Sequence, residues 1–285
     1  MKIWLNDYLL NDQSNRTYLK EPIEGLELPG IRTSDGQRSG QHGSYTGAQF
    51  YDARFLTLNG HIFAATIAEA KQKRREIQNA LPLYPTPIVV RIEDDDGYVY
   101  VFNAQVRDFK MPLTQSNFKH IFKLELKADD PTIYDDTAGE ALSATVYKAI
   151  SGGMQFTTTS PQFGSSFYFT SGQTSASIVN DSAITVYPVI KITGKTTNPT
   201  LTNLATGQVW SLAGYSVAAD SVTKIDMSPQ GHAVTLNDGS VFSYVPLDAE
   251  WWGLIPGPNV IVFDSGSGSD VSTAEIFWRP GIMGI

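Results

Sequence analysis

The sequence predicts a mostly β protein with two domains, an N-terminal α+β sandwich that carries one helix and a C-terminal β-sandwich. Serine, threonine, glycine and aromatic residues are plentiful, a composition typical of β structure. In residues 1–130, strand-like runs flank a single helical pattern, which is typical of an α+β sandwich. In residues 131–285, short strand-like runs follow at turn-punctuated intervals without a convincing helix, which favours a sandwich of strands.

The charge distribution favours a boundary between these two domains. Residues 1–130 contain 16 basic and 17 acidic residues, a net charge of −1. Residues 131–285 contain 5 basic and 12 acidic residues, a net charge of −7. The segment "DDPTIYDDTAGEAL" combines acidic residues with a proline and a glycine. We therefore predict a linker at about 129–153, with a separate core on each side.

Two hairpins and one amphipathic strand are predicted in the N-terminal domain. "RFLTLNGHIFAA" places Asn59-Gly60 between two apolar runs, which predicts a tight turn, because both central positions of a type I′ turn need positive φ. "PIVVRIEDDDGYVYVF" predicts a second hairpin that turns at Asp96-Gly97. "HIFKLELKA" alternates apolar and charged residues and predicts a strand with one buried face.

The segment "TIAEAKQKRREIQNALP" predicts the helix. Thr66 and Glu69 have the spacing of a capping box, in which each residue can satisfy a free amide at the helix start. Four apolar residues fall on one helical face: Ile67, Ala70, Ile77 and Leu81. Pro82 ends the helix because it disfavours α geometry at the residue before it.

The strands of the C-terminal domain are predicted from short apolar runs between turn residues. The predicted runs are "SSFYFT", "ITVYPVIKITG", "QVWSLAG", "SVTKIDM", "AVTLNDGSVFSYV", "NVIVFD" and "AEIFWR". "FDSGSGSD" is predicted to form a short flexible loop between the last two of them.

The residue types argue against several kinds of active site. The chain has no cysteine, so it forms neither a disulfide nor a thiolate metal site. Its four histidines are not spaced for a helical zinc pair, and no G-x-S-x-G nucleophile turn occurs. We predict no catalytic residues, no metal site and no cofactor, and the protein is not expected to be an enzyme. The sequence leaves open that two carboxylates meet in a cleft, as in a glycoside hydrolase.

Charge and hydropathy also limit the partners. The net charge of −8 argues against specific nucleic-acid binding, which needs a basic surface. The basic cluster "KQKRR" at 71–75 favours a solvated or protein-contacting helix face, and "EDDDG" at 93–97 favours a hairpin turn over a calcium loop. No signal peptide pattern and no apolar run of about 18 residues occurs, so we expect no membrane partner and folding in a cytoplasm.

Tryptophans in the acidic domain are candidates for sugar binding. Trp251 and Trp252 stand in "EWWGLIPGPNVIVF", and exposed tryptophan faces stack on sugars. The segment lies between apolar runs, however, so packing in the core is the favoured interpretation of both rings.

The stretch "GIRTSDGQRSGQHGSYTG" at 30–47 is the most unusual in the chain. It contains five glycines but lacks the lysine that follows the glycines of a phosphate-binding loop, and strands follow it instead of a helix. What remains is a long glycine-rich excursion between two β segments, and such segments are usually functional or disordered.

Several motifs, taken in order, resemble one family. "LPGIRTSDGQRSGQHGSYTG…FYDARFLTLNGHI" at 28–62 resembles the N-terminal domain of siphophage distal tail proteins, where an arginine-containing loop precedes an R-x-L-x-L-x-G-like strand. "YPVIKITGKTTNPTLTNLATGQ" at 187–208 is similar to the C-terminal domain of the same family, with its P-x-I-x-I-x-G…NP…N…TG pattern. "VTLNDG", "WWGLIPGPNVIVF" and "AEIFWRPG" follow in the family's order, so the resemblance covers nearly the whole chain.

The resemblance implies a structural protein of the virion. It implies that residues 1–130 form a hexameric ring at the tail tip that joins the tail tube to the baseplate hub, a tail lysin or a tail fibre. It also implies a galectin-like fold for residues 131–285 and folding in the host cytoplasm before assembly. The alternative function is a carbohydrate-binding or adhesin module that recognises host surface glycans.

The glycine-rich stretch is the predicted contact between subunits. It has too little apolar surface to anchor a core, and its glycines allow backbone turns closed to other residues. Arg32 and Arg38 carry planar donor groups suited to carboxylates or carbonyls on a neighbour. We therefore expect Arg32, Asp35, Arg38 and His42 to take part in subunit contact.

Overall fold

The computed structural model describes residues 1–12, 16–83, 85–112, 119–148, 156–157, 160–161, 174–266 and 272–285. These residues form two compact units. Unit 1 comprises Met1–Glu140 together with Gly281–Ile285, and unit 2 comprises Ala141–Pro280. The predicted strand "SSFYFT" and the second half of the predicted loop "FDSGSGSD" lie outside the described residues.

Unit 1 is built from antiparallel strands and one helix. In chain order its elements are β1 (Lys2–Leu5), β2 (Tyr8–Leu10), β3 (Thr17–Leu19), β4 (Ile31–Thr33), β5 (Gly36–Gln37), β6 (Ser44–Tyr45), β7 (Gln49–Tyr51), β8 (Arg54–Phe63), α1 (Ile67–Asn79), β9 (Ile88–Glu93), β10 (Val99–Lys110), β11 (Lys119–Ala128) and β12 (Ile133–Asp135). Among the described residues, α1 is the only α-helix.

The main sheet of unit 1 has the strand order β2-β1-β9-β10-β11-β8-β3. The first half of the long strand β10 pairs with β9, and its second half pairs with β11. The register shifts between Val106 and Asp108, as at a β-bulge. Bulges increase the local twist of a strand, and this one lies in the half of β10 that pairs with β11.

The core of unit 1 follows the period of two that the strands impose. Phe122, Leu124 and Leu126 of β11 are buried, while the charged residues between them are at least partly exposed. The predicted strand with one buried face is therefore confirmed. The hairpin predicted at Asp96-Gly97 is also confirmed, since β9 and β10 flank a turn in which Gly97 has a φ of +86°.

The hairpin predicted at Asn59-Gly60 is wrong. Both residues lie inside the continuous ten-residue strand β8 and pair with Lys123 and Phe122 of β11. A Cβ at Gly60 would lie 2.5 Å from the ring of Phe122 and 2.6 Å from the carbonyl oxygen of Tyr18. Gly60 therefore allows close packing inside a strand and does not form a turn. Its neighbours in the sequence do not reveal this role.

Helix α1 begins at the predicted cap. The Thr66 side chain accepts a hydrogen bond from the amide of Glu69 at 3.1 Å. The Glu69 carboxylate accepts one from the amide of Ala65 at 2.7 Å, one residue earlier than an ideal capping box would have it. Ala70 and Ile77 are buried as expected, but Ile67 is 54% exposed, so the apolar face of the helix is shorter than predicted.

Unit 2 consists of strands and one short 3-10 helix in the residues that the structure describes. Its elements are β13 (Leu142–Tyr147), β14 (Phe156–Thr157), β15 (Ser160–Pro161), β16 (Ser175–Asn180), β17 (Val189–Gly194), β18 (Thr196–Thr197), β19 (Thr200–Asn203), β20 (Gln208–Ser211), β21 (Ser216–Val217), β22 (Val222–Asp226), β23 (Ala233–Leu236), β24 (Gly239–Ser240), the 3-10 turn Phe242–Tyr244, β25 (Gly257–Asp264) and β26 (Ser272–Trp278).

Two sheets supply most of the core of unit 2. One has the order β13-β26-β17-β22-β23-β24 and the other has the order β16-β25-β19-β20. Alternate residues of both sheets, such as Ile190, Ile225 and Ile276 from the first and Leu201 and Phe263 from the second, belong to one buried cluster. This arrangement is a β-sandwich. The fold of the chain as a whole is mostly β, as predicted.

The last strand of the chain, β27 (Gly281–Ile282), belongs to unit 1. It pairs with β12, whose Ile133 lies opposite Ile282. The amide of Ile285 donates to the carbonyl oxygen of Leu26 at 2.9 Å. Unit 1 is therefore discontinuous in sequence, and unit 2 is inserted between β12 and β27.

The predicted linker at about 129–153 contains strand β12 of unit 1 and strand β13 of unit 2. We expect limited proteolysis with a broad-specificity protease to cut first within this span, outside those two strands, and to leave two folded pieces. Because β27 pairs with β12 inside unit 1, the pieces should stay together on a native gel and separate only under denaturing conditions. Denaturing electrophoresis with mass spectrometry of the fragments measures both properties. Early cuts spread evenly along the chain would contradict a linker at this place.

Candidate assembly surface

The glycine-rich stretch, which the sequence predicts as a long excursion between two β segments, forms a β-hairpin. β4 pairs with β7, and β5 pairs with β6 further along. The turn between β5 and β6 contains Gly40 and Gly43, both with positive φ. We call residues 30–52 the arm.

The backbone hydrogen bonds of the arm are made within the arm. Ser34 donates to Ala48, Arg38 donates to Gly43 and Asp52 donates to Gly30. Residues 31–52 are exposed except for the half-buried Gly36 and Gly47. The arm therefore makes little use of the core of unit 1.

Two glycines of the arm are required by close contacts. A Cβ at Gly36 would lie 2.2 Å from the ring of Tyr45, which is its cross-strand partner. A Cβ at Gly47 would lie 2.3 Å from the carbonyl oxygen of Ser34. The glycines thus allow a thin, tightly paired hairpin.

All four predicted contact residues lie in the arm and are exposed. The guanidinium of Arg32 lies over the ring of Phe50, 5.7 Å from its centre. The carboxylate of Asp35 accepts a hydrogen bond from the amide of Gly47 at 2.9 Å. This hydrogen bond stabilises the arm itself. Arg38 and His42 lie at the turn, where their side chains are available to a partner.

Arg54, the first residue of β8, is a buried structural centre that the sequence analysis does not identify as a site. Its side chain is 2% exposed. Its guanidinium donates to the carbonyl oxygens of Gly25 at 2.7 Å, Glu27 at 2.8 Å, Pro131 at 2.9 Å and Met283 at 2.7 Å. One side chain therefore ties together the turn that precedes the arm, the segment before β12 and the end of the chain.

Burial and the neighbouring carboxylates have opposite effects on the charge of Arg54. Burial lowers the pKa of the guanidinium, while Glu27 and Asp130 raise it. An arginine still keeps its proton in this setting because its ordinary pKa is far above neutrality. The planar group supplies several donors in fixed directions, which suits a cluster of carbonyls from separate segments.

The two candidate sugar-binding tryptophans differ in their surroundings. Trp252 is 1% exposed and its indole N–H donates to the carbonyl oxygen of Leu201 at 3.3 Å. Trp251 is half-buried, and the His232 ring stacks on it with 4.2 Å between ring centres. A sugar could stack on the face that His232 covers only if the histidine moved away.

A network of buried asparagines holds the segment that contains both tryptophans. Asn180 donates to the carbonyl oxygen of Leu254 at 2.8 Å, and Asn203 donates to that of Gly253 at 3.2 Å. Asn259 accepts from the amide of Ile255 at 3.0 Å and also from the side chain of Asn203 at 3.2 Å. These side chains satisfy the backbone of an irregular buried segment, a role that buried polar groups commonly have.

Neither a metal-ligand cluster nor a membrane-spanning helix occurs among the described residues. No group of three or more histidine, aspartate or glutamate side chains is placed to hold a metal ion within these ranges. None of the helices found there is long and apolar enough to cross a membrane.

The C-terminal part of the chain matches a known protein family. The family model described as "Siphovirus-type tail component, C-terminal domain" matches residues 181–281. The resemblance to siphophage distal tail proteins is thereby confirmed. The family consists of structural components of phage tails, and no curated protein sequence matches this chain.

Solved structures extend the comparison to the whole chain. The crystal structure of the SPP1 Dit protein, described as a paradigm of the hub adsorption apparatus in phages that infect Gram-positive bacteria, is 11% identical and has a TM-score of 0.63. The match covers 99% of this chain and 98% of that one. A chain of the phage P2 baseplate in its Ca-activated conformation is 10% identical with a TM-score of 0.60, over 100% and 98% of the two chains. The distal tail fold thus spans both units.

The residues that carry the resemblance in the C-terminal part of the chain have structural roles here. Asn198 has a φ of +45° and accepts a hydrogen bond from the amide of Tyr215 at 2.8 Å. Asn203 accepts from the amide of Ala205 at 3.0 Å in the turn between β19 and β20, where Gly207 has a φ of +74°. The NP…N…TG pattern therefore encodes turns of the sandwich.

Proposed function

We propose that the protein is a structural adaptor at the tip of a phage tail. Six copies would form a ring through unit 1, and the ring would join the tail tube to the baseplate hub, a tail lysin or a tail fibre. The match to a tail component family and the similarity in fold to proteins of phage baseplates support this proposal. The virion, at the tail tip, is the corresponding location, and no catalytic activity is proposed.

The observation that carries the ring proposal is the exposed arm. A two-stranded hairpin that lacks a packed face is marginally stable in water. The arm nevertheless has an exact internal pairing and exposes Ile31, Tyr45 and Phe50 by more than half. A contact with another subunit would bury these side chains. Head-to-tail contacts of this kind close into a ring when their rotation permits it.

The positions of the two tryptophans do not support the alternative function as a carbohydrate-binding module. Trp252 is enclosed in the core, and Trp251 is stacked with His232. A glycan array with the purified protein separates the two functions, since an adaptor is expected to give no specific signal.

We expect replacement of residues 33–44 by a short Gly-Ser linker to abolish ring formation while leaving the melting temperature nearly unchanged. The hydrogen bonds of this segment are internal to the arm, so the core of unit 1 loses little when they are removed. Native mass spectrometry and negative-stain microscopy at high protein concentration measure assembly, and calorimetry measures the melting temperature.

Asp238→Gly is the control for that experiment, because it changes an exposed turn of unit 2 at a position with a φ of +68°. It should form rings like the unchanged protein. An arm variant that unfolds would make the arm part of the core. An arm variant that still forms rings would leave the arm without the proposed role, and a strictly monomeric unchanged protein, even with a tail-tube or hub partner present, would contradict the ring.

A further inference from the structure

Unit 1 carries an open groove beside the segment that Arg54 holds. The groove has a volume of about 660 Å³, which lies within the range of roughly 300–1,000 Å³ that ligand pockets have. Ile23, Leu26 and Ile285 supply apolar side chains to its walls. The groove can therefore bury an apolar side chain of a partner.

The charged side chains that line the groove are acidic. Glu21 and Glu27 are exposed, and no lysine or arginine belongs to the described residues that line it. Hydrogen bonds from backbone amides, first that of Glu27 itself and then that of Gly25, lower the pKa of the Glu27 carboxyl. The groove thus combines apolar walls with negative charge, and it suits a segment in which an apolar side chain accompanies cations.

Helix α1 presents a surface of this complementary kind. Ile67, Lys71 and Arg75 follow one another at intervals of four residues and are exposed, so they share one side of the helix. None of the ion pairs found among the described residues includes Lys71 or Arg75. The acidic residues Glu69 and Glu76 lie on the far side of the helix, because successive residues are rotated by about 100°. The exposed side of α1 is therefore cationic with one large apolar side chain.

The groove and the exposed side of α1 lie at opposite ends of unit 1. Strand β8 begins at Arg54, whose side chain binds the segment that lines the groove, and it ends at Phe63, just before α1. A strand of ten residues spans about 30 Å. β1 runs in the same direction, since four antiparallel pairings lead from it to β8. Met1 before β1 lines the groove, and Asn6 after β1 donates to the carbonyl oxygen of Ala80 at the end of α1, at 3.4 Å. A contact between the two surfaces therefore requires two copies.

We propose that the exposed side of α1 in one copy docks on the groove of a second copy of this chain. Ile67 then contacts the apolar walls, and Lys71 and Arg75 face Glu21 and Glu27. This inference rests on the proposed ring and names two surfaces that join neighbouring copies in addition to the arm. The contact is head-to-tail because it uses a different surface on each copy, as in a closed ring.

The test reverses the charge of each surface separately. The helix variant is Lys71→Glu with Arg75→Glu, and the groove variant is Glu21→Lys with Glu27→Lys. The control is Lys224→Glu, which reverses an exposed cation of unit 2. Sedimentation velocity and native mass spectrometry measure assembly, and calorimetry measures the melting temperature.

We expect each variant by itself to assemble at least about tenfold more weakly than the control, because like charges then face each other across the contact. An equal mixture of the two variants should assemble again, since each helix then meets a groove of opposite charge. Glu21→Lys alone keeps the hydrogen bond between Glu27 and the amide of Gly25. It should weaken assembly in the same direction even if the double groove variant loses stability.

Several results would overturn this contact. Variants that assemble as well as the control would leave the ring to other surfaces. A mixture that assembles no better than its two components would show that the helix and the groove do not meet. Variants that form rings but no longer bind purified tail-tube protein would show that the occupant is another tail protein. An unchanged protein that never assembles would contradict the proposed ring and this contact with it.

Discussion

Trp252→Ala is expected to lower the free energy of unfolding of unit 2 by about 3–5 kcal/mol, the usual loss when a large aromatic side chain is removed from a core. Trp252 is 1% exposed, and its N–H donates to the carbonyl oxygen of Leu201. The substitution therefore creates a cavity and leaves the Leu201 carbonyl without that donor. Urea denaturation followed by circular dichroism measures the change.

Trp251→Ala is the matched control for this substitution. The ring of Trp251 is half-buried and packs against His232 and Trp210 at the edge of the core. We expect a loss of about 1–2 kcal/mol, because less apolar surface is removed from the interior. If either variant kept its full stability and lost a glycan-binding signal, the carbohydrate-binding function would gain support and the role of that tryptophan in packing would be contradicted.

Arg54→Met is expected to destabilise unit 1 by at least about 3 kcal/mol. Methionine has a similar length but no donors, so four carbonyl groups lose their partner. Arg54→Lys should recover only part of the loss, since an ammonium group cannot reproduce the directions of a guanidinium. Urea denaturation gives the free energy, and hydrogen exchange should show faster exchange at Ile285, whose amide bonds to Leu26.

Arg91→Met provides the control for Arg54. Arg91 lies in β9 of the same sheet, and its side chain is exposed. We expect a change within about 0.5 kcal/mol, as for most exposed positions. An Arg54→Met protein as stable as this control would show that the carbonyl cluster is satisfied in another way and would remove the structural role assigned to Arg54.

Local sequence patterns correctly predicted most of the strands, turns and helix ends in which they lie. The alternation in "HIFKLELKA" predicted strand β11 with its buried Phe122, Leu124 and Leu126. Thr66 and Glu69 predicted where α1 begins, and Asp96-Gly97 predicted the turn between β9 and β10. These features depend on residues a few positions apart, whose preferences act before any tertiary contact forms.

Other features could not be predicted because the deciding contact comes from a distant part of the chain. The segment around Gly60 predicts a turn, but the close contacts with Phe122 and Tyr18 require a glycine inside a strand. Arg54 stands in phase with Leu56 and Leu58, which are buried, and this phase was the available signal that Arg54 is buried too. The phase did not reveal that Met283 supplies one of its acceptors.

The sequence by itself determined the β class, the single helix with its cap, the amphipathic strand β11 and the resemblance to the distal tail family, because these follow from short-range spacing and ordered motifs. Only the tertiary structure decided that the glycine-rich stretch is a paired arm, that Arg54 binds four carbonyl groups, and that Gly281–Ile285 belongs to unit 1. The physical reason is that cross-strand register and buried hydrogen bonds join residues far apart in the chain, and a local pattern carries no information on which distant segments will meet.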